Sequence, residues 1–171
     1  MTRSEVLAAE YNSYYKNYIG LVEKTSLTNA LIVGLETTQT FFETLPKEKW
    51  KYQYAPDKWT PKDILQHVSD TERVFAYRAL YFARFKNADL KGFDENVFAM
   101  NAHANKKSIT DLINEYKTIR AASLSLFKYL NESELKQTGT ANGSLMSVRA
   151  AGFIICGHEI HHCNIIKERY L

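Results

Sequence analysis

The 171-residue chain carries 22 Lys and Arg against 19 Asp and Glu, a formal net charge of +3, and the two signs are interspersed, so nucleic acid is not implied as a partner. Hydrophobic residues at 45% and charged residues at 24% are ordinary for one globular domain of this length and argue against disorder and against a membrane protein. Only 7 Gly and 3 Pro leave little turn material for a many-stranded fold, and long helices are expected instead.

The N-terminal stretch MTRSEVLAAEYNSYY lacks the basic-then-apolar pattern of a signal peptide, and no apolar run is long enough to span a bilayer. A cytoplasmic protein is the expectation. The following AEYNSYYKNYIGLV places Tyr11, Tyr14, Tyr15 and Tyr18 on adjacent faces if helical. Such a stripe usually packs against the rest of the protein; a subunit interface or a pocket lid is the sharper alternative.

Four long helices follow. The first spans 27–45, with Leu31, Leu35, Thr38, Phe41, Phe42 and Leu45 at helical spacing. The second opens on Thr60-Pro61-Lys62-Asp63, which supplies an N-cap hydroxyl, a proline where its missing N–H costs nothing, and an acid in the first turn. Its pattern runs to about Lys86. Ser108-Ile109-Thr110-Asp111 repeats the capping logic and opens the third, to about Tyr129. Ser147 begins the fourth, which continues to about Arg169. The link NADLKGFDENVFAMNAHANKK is longer than antiparallel neighbours need and suits a crossover that leaves helices two and three parallel. ELKQTGTANGSLM reads as a polar loop. The economical architecture is a single all-α four-helix bundle domain over residues 1–171.

Residues 158–162, His158-Glu159-Ile160-His161-His162, match the H-E-x-x-H pattern of zinc proteases. The extended form needs Gly at 165 and His at 168, where this chain has Ile165 and Glu168, and the few residues beyond leave no room for a later glutamate ligand. A protease is therefore not expected. The spacing is still metal chemistry, because residues four apart differ by about 40° around a helix and put His158 and His162 on one face, along with Ile155 and Ile166. Two imidazoles in an apolar seam can share a cation, whereas separately each needs its own hydrogen-bond solution.

His67 occupies the inward stripe of helix two with Ile64, Thr71, Val74, Arg78 and Phe82. If helices two and four are antiparallel, His67 and His162 lie level, and three neutral histidines leave a metal position open for chemistry. Zn²⁺ and Ni²⁺ both suit imidazole. His161 and His103 fall off the ligand face. Glu159 flanks it and can serve as a general base, orient a ligand, or pair with a cation across a helix seam. Arg78, well below the metal, is expected to pair with an acid of a neighbouring helix, with an acidic substrate group as the alternative. Cys156 and Cys163 are read as small buried thiols that are not joined to each other.

Taken together, KWTPKDILQHVSDTERVFAYRALYFAR, GFDENVF, LINEYKTIRAASLSLFKYL and SVRAAGFIICGHEIHHCNIIKERY resemble the DinB-like superfamily of metal-binding four-helix bundles, from about Tyr14 to the C-terminus. The resemblance implies an up-down-down-up bundle and a metal triad at His67, His158 and His162. It also implies a homodimer, a small-molecule substrate, and divalent-metal-dependent S-transferase chemistry with a low-molecular-weight thiol such as bacillithiol or mycothiol. Hydrolysis with Glu159 as base, or a non-catalytic metal-binding stress protein, are the alternatives.

Overall fold

Ser26, Thr60, Ser108 and Ser147 each accept a hydrogen bond from a backbone N–H three residues on, and each such N-cap stabilises its helix by about 1 kcal/mol. The computed structural model, which describes residues 2–171, has seven α-helices among those residues. They are α1 (Lys16–Leu21), α2 (Leu27–Glu43), α3 (Pro61–Arg84), α4 (Glu95–Ala102), α5 (Ile109–Phe127), α6 (Glu132–Lys136) and α7 (Val148–Arg169). Helices α2, α3, α5 and α7 form the bundle. None of the helices described is long and apolar enough to cross a membrane.

Side-chain partners fix the helix directions. Lys62 bonds to Lys107, Gln66 to Glu115 and Glu72 to Arg120, so α3 and the α5 region advance together. Arg120 reaches Leu31 while Tyr116 reaches Gly34, so α2 and α5 oppose each other. Cys163 and Glu159 both contact Thr38 from the late part of α7, while Gly152 abuts Leu27 at the start of α2. Those two helices are parallel. His67, early in α3, meets His158, midway along α7. The bundle is therefore up-down-down-up, and the linker 85–108 is the crossover that makes α3 and α5 parallel.

Two apolar clusters fill the bundle, one around Leu31, Phe75, Phe82 and Phe153 and the other around Phe42, Trp50, Leu65 and Tyr170. Between them, on every helix, lies a polar layer. The Arg120 guanidinium donates to Glu72 at 2.8 Å through both Nε and Nη2, to Glu159 at 2.7 and 3.1 Å, and to the Leu31 carbonyl at 3.0 Å. Tyr116 donates to Glu159 at 2.5 Å. Arg120 and Glu159 are 0% exposed and Glu72 is 1% exposed, so the ion pairs tie α3, α5 and α7 in a medium where an unpaired charge is very costly, and α2 joins through the Leu31 carbonyl and the Thr38 hydroxyl.

Two segments depart from the sequence reading. The stretch expected to be a polar loop is a β-hairpin, β2 (Thr138–Ala141) with β3 (Ser144–Ser147), joined by Asn142 and Gly143 at φ 53° and 71°. Asn-Gly is the dipeptide that accepts left-handed backbone at both turn positions, and that signal was present in the sequence. The crossover also holds α4 and a short strand, β1 (Asp89–Leu90), which pairs in parallel with β2. The sheet borders one end of the cavity described below and adds Ala141 and Met146 to the first apolar cluster, with Gly139 seated against the Phe82 ring.

Helix α1 lies across α7 at Gly157, where an added Cβ would collide with the carbonyl oxygen of Tyr18. A side chain there cannot be accommodated without moving α1. Gly157→Ala is accordingly expected to destabilise the protein by about 1–3 kcal/mol, the usual range for overpacking, despite the better helix propensity of alanine. Urea unfolding checks this, and a variant as stable as the parent would show that the close approach does not exist.

Candidate metal centre and its cavity

Capping decides where the ligand residues stand. Thr60 and Asp63 form a reciprocal capping box with Pro61 at the first helical position, which puts His67 about 10 Å into α3. His158 and His162 lie one turn apart toward the other end of α7. Because α3 and α7 run in opposite directions, the three rings come level. His67 Nε2 lies 3.0 Å from His158 Nε2, which lies 3.1 Å from His162 Nε2. Ligand atoms of all three fall within 4.8 Å of one another.

These distances fit a cation. Metal–nitrogen bonds of 2.0–2.1 Å in a tetrahedron place ligand nitrogens about 3.3 Å apart, near two of the observed separations. Hydrogen bonds alone fit poorly, since a neutral ring nitrogen offers either one hydrogen or one lone pair, and His158 Nε2 faces two partners. Burial drives the pKa of His67 down to about 4 and those of His158 and His162 well below the usual value, so all three are neutral at pH 7, as ligation requires. Thr71 Oγ1 sits 3.5 Å from His67 Nδ1, and the Trp59 ring packs 4.6 Å from the His67 ring.

The triad opens onto a cavity of about 460 Å³. Its wall along α3 is a single stripe of His67, Thr71, Phe75 and Arg78. Tyr14, Tyr15 and Tyr18 cover it from the N-terminal segment, and Gly92, Phe93, Asn142 and Ser144 close the far end. Tyr14, Tyr15 and Tyr18 thus border a pocket, while Tyr11 and Tyr15 pack against the apolar core, so the stripe serves packing as well as the pocket wall. Tyr18 packs its ring edge against His158 and His161, with centroids 5.6 and 5.1 Å apart. His161 is half-buried against Tyr18 and His162 and outside the ligand cluster, while His103 ends α4 in the left-handed conformation.

The geometry decides two expectations from the sequence, for Glu159 and Arg78, and brings in two residues that the sequence reading did not single out. The Glu159 carboxylate does not line the cavity; Arg120, Tyr116 and Thr38 occupy its oxygens on the other side of α7. Of the roles open to it, pairing with a cation across a helix seam is the one the structure displays, and a role as base acting in this cavity loses its geometric support. Arg78 has no carboxylate within ion-pair distance among the described residues, so the expected acid on a neighbouring helix is missing. Glu72 and Arg120 were missed as core residues. The available signal was Glu72 at the inward spacing Leu65, Val68, Glu72, Phe75, Ala79, where a charge interrupts an apolar stripe.

The cysteines are free and buried, and burial raises the thiol of Cys163 to about 12 and that of Cys156 further. Neither supplies a thiolate near neutrality.

Comparisons with known proteins agree with this architecture. YfiT from Bacillus subtilis, described as a probable metal-dependent hydrolase with an unusual four-helix bundle topology, superposes with a TM-score of 0.75 at 13% identity, covering 83% of this chain and 82% of its own. A DinB-like protein of the same organism, YjoA, superposes with a TM-score of 0.59 at 19% identity, covering 84% and 88%. No curated protein matches the sequence. Residues 30–166 match the model of the DinB superfamily, a stretch that holds all four bundle helices except the ends of α2 and α7 and includes the whole histidine triad; the chain belongs to that superfamily.

Proposed function

We propose that the protein is a divalent-metal-dependent enzyme acting on a small molecule in the 460 Å³ cavity, with S-transferase-type chemistry on a low-molecular-weight thiol. The carrying observation is the three-histidine cluster opening onto that cavity, since a cation held by three protein ligands keeps a position for an exogenous group. His67, His158 and His162 would hold Zn²⁺ or Ni²⁺, and the bound ion would supply Lewis acidity that lowers the pKa of a thiol or of water. Trp59, Tyr18 and Phe75 provide an aromatic wall that orients an apolar electrophile and excludes solvent.

Hydrolysis is the second reading, favoured by the likeness to YfiT, itself described as a probable metal-dependent hydrolase. Against it stands the absence, among the described residues, of a carboxylate in the histidine cluster: Glu159 is bound to Arg120, and Glu95 is an exposed acid on the cavity lining. Thiol conjugation needs no such base once the thiol is ionised. Purified protein carrying stoichiometric metal should conjugate a small thiol to a halogenated aromatic, a carbon–sulfur bond forming as halide leaves. His162→Ala should lower that rate at least a hundredfold. Undiminished turnover after complete chelation defeats the proposal, and ester hydrolysis without thiol dependence selects the second reading.

A further inference from the structure

The far end of the cavity holds a charge for which the bundle offers no counter-ion. Arg78 is 3% exposed, yet it forms no ion pair among the described residues. Its guanidinium lies 4.8 Å from the Phe75 ring centroid and 5.7 Å from that of Phe93. The Tyr15 phenol is its hydrogen-bonding neighbour, and burial raises the Tyr15 pKa further above neutrality, so this partner is uncharged. Compare Arg120, equally buried, which is held between two carboxylates. The fold pairs its other buried guanidinium groups, Arg120 with Glu72 and Glu159 and Arg149 with Glu10, and leaves this one facing a cavity.

The surroundings suit an anion arriving from solution. Asn12, Asn142 and Ser144 line the same end, with Asn12 Nδ2 donating to Ser144 Oγ at 3.0 Å. Glu95 is the acid nearby on the cavity lining, but it is exposed and does not reach Arg78 within ion-pair distance. Aromatic rings flanking the guanidinium restrict it and keep water away, which strengthens a charge-assisted bidentate contact. About 16 Å of helix separates the Cα levels of His67 and Arg78, eleven residues at 1.5 Å each, so one elongated molecule can address both ends.

We propose that Arg78 is the anion-recognition residue of the cavity and that its ligand carries a carboxylate or similar anionic group distal to the end that faces the histidines. The inference rests on the metal-enzyme reading only for the placement of that other end. Selectivity for an anionic small molecule over its neutral counterpart follows from the cost of leaving a buried guanidinium unpaired.

The probes are 6-mercaptohexanoate and its neutral amide, with affinities measured by calorimetry at fixed ionic strength on metal-loaded and on chelated protein. The carboxylate is expected to bind at least tenfold more tightly than the amide in both preparations. In Arg78→Gln the ratio should fall to near one, with amide binding little changed. Arg78→Lys, which keeps the charge but loses the planar fork, should retain part of the preference and serves if Arg78→Gln does not fold. A carboxylate-to-amide ratio near one in the wild-type protein, or a ratio unaltered in either variant, overturns the proposal. If the metal reading fails instead, chelation leaves both affinities unchanged while the carboxylate preference persists.

Discussion

Arg120→Met is expected to cost about 3–5 kcal/mol, the loss typical when one member of a buried charge network is removed. Against a total stability of about 5–15 kcal/mol for a domain of ordinary stability, that change leaves the protein marginal or unfolded at 37 °C. The cause is what remains behind. Arg120 donates to both Glu72 and Glu159, and without it two fully buried carboxylates face each other with Tyr116 and Thr38 as the remaining donors to Glu159. Burial already holds the Glu159 carboxyl above its usual range in the intact protein, and the guanidinium opposes that shift. Removing the guanidinium pushes the Glu159 carboxyl higher, so the folded variant binds more protons than its unfolded chain above about pH 4. Its stability then falls as pH rises, and the deficit should be larger at pH 8 than at pH 5. Replacing all three ionic residues with apolar ones of similar volume should recover most of the loss. Urea unfolding at both pH values measures this, and an Arg120→Met variant within about 1 kcal/mol of wild type would refute a structural role for the layer.

Stripping the metal is expected to give the second large effect, a protein whose stability depends steeply on acid. With metal present at a hundred times its dissociation constant, binding contributes about 2.7 kcal/mol, which chelation removes. The stripped protein then has three buried neutral imidazoles. Burial sets His67 at about 4 and His158 and His162 well below their ordinary values, while the unfolded chain takes up protons near pH 6.5. Between those limits the unfolded state binds more protons, so stability decreases as pH falls from about 6.5 toward 4. His67 alone accounts for roughly 3 kcal/mol across that window, at about 1.4 kcal/mol per pH unit. His67→Ala should therefore remove metal binding and lessen the acid dependence by the share of His67, leaving the part that His158 and His162 sustain. Melting temperatures of chelated wild type and variant between pH 4.5 and 7.5, with metal analysis of the starting material, test both parts. Metal content near zero with a melting temperature insensitive to chelation would argue that the cluster is a packed histidine core.

The two effects meet at neighbouring residues on different faces of one helix. Glu159 and His158 are adjacent in α7, separated by about 100°, so one carboxylate locks the bundle while its neighbour faces the cavity. The H-E-x-x-H pattern therefore divides between a residue paired with Arg120 and residues of the histidine cluster. A zinc-protease arrangement, with the glutamate acting on water at the metal, would need both to face the same space.

Local chemistry made much of this legible in the chain. Hydroxyl caps at Thr60, Ser108 and Ser147 mark helix starts because they satisfy orphan N–H groups next door, and the 3.6-residue period identifies His67, His158 and His162 as inward-facing because a helix repeats its faces regardless of what it packs against. The Asn142-Gly143 hairpin was legible too, but its flanking residues lack an alternating apolar pattern, so the turn signal carried no strand with it. What the linear chain could not decide was partnership. Whether Arg78 meets an acid or a cavity, and whether Glu159 faces the histidines or Arg120, depends on which helices lie side by side and at what height. Those relations are set by packing between residues 39 to 91 positions apart, as in the Arg120–Glu159 and His67–His158 contacts, and no periodicity within one helix encodes them. Helix faces are a property of the local backbone; the choice of which face becomes a site and which becomes a core belongs to the assembled bundle.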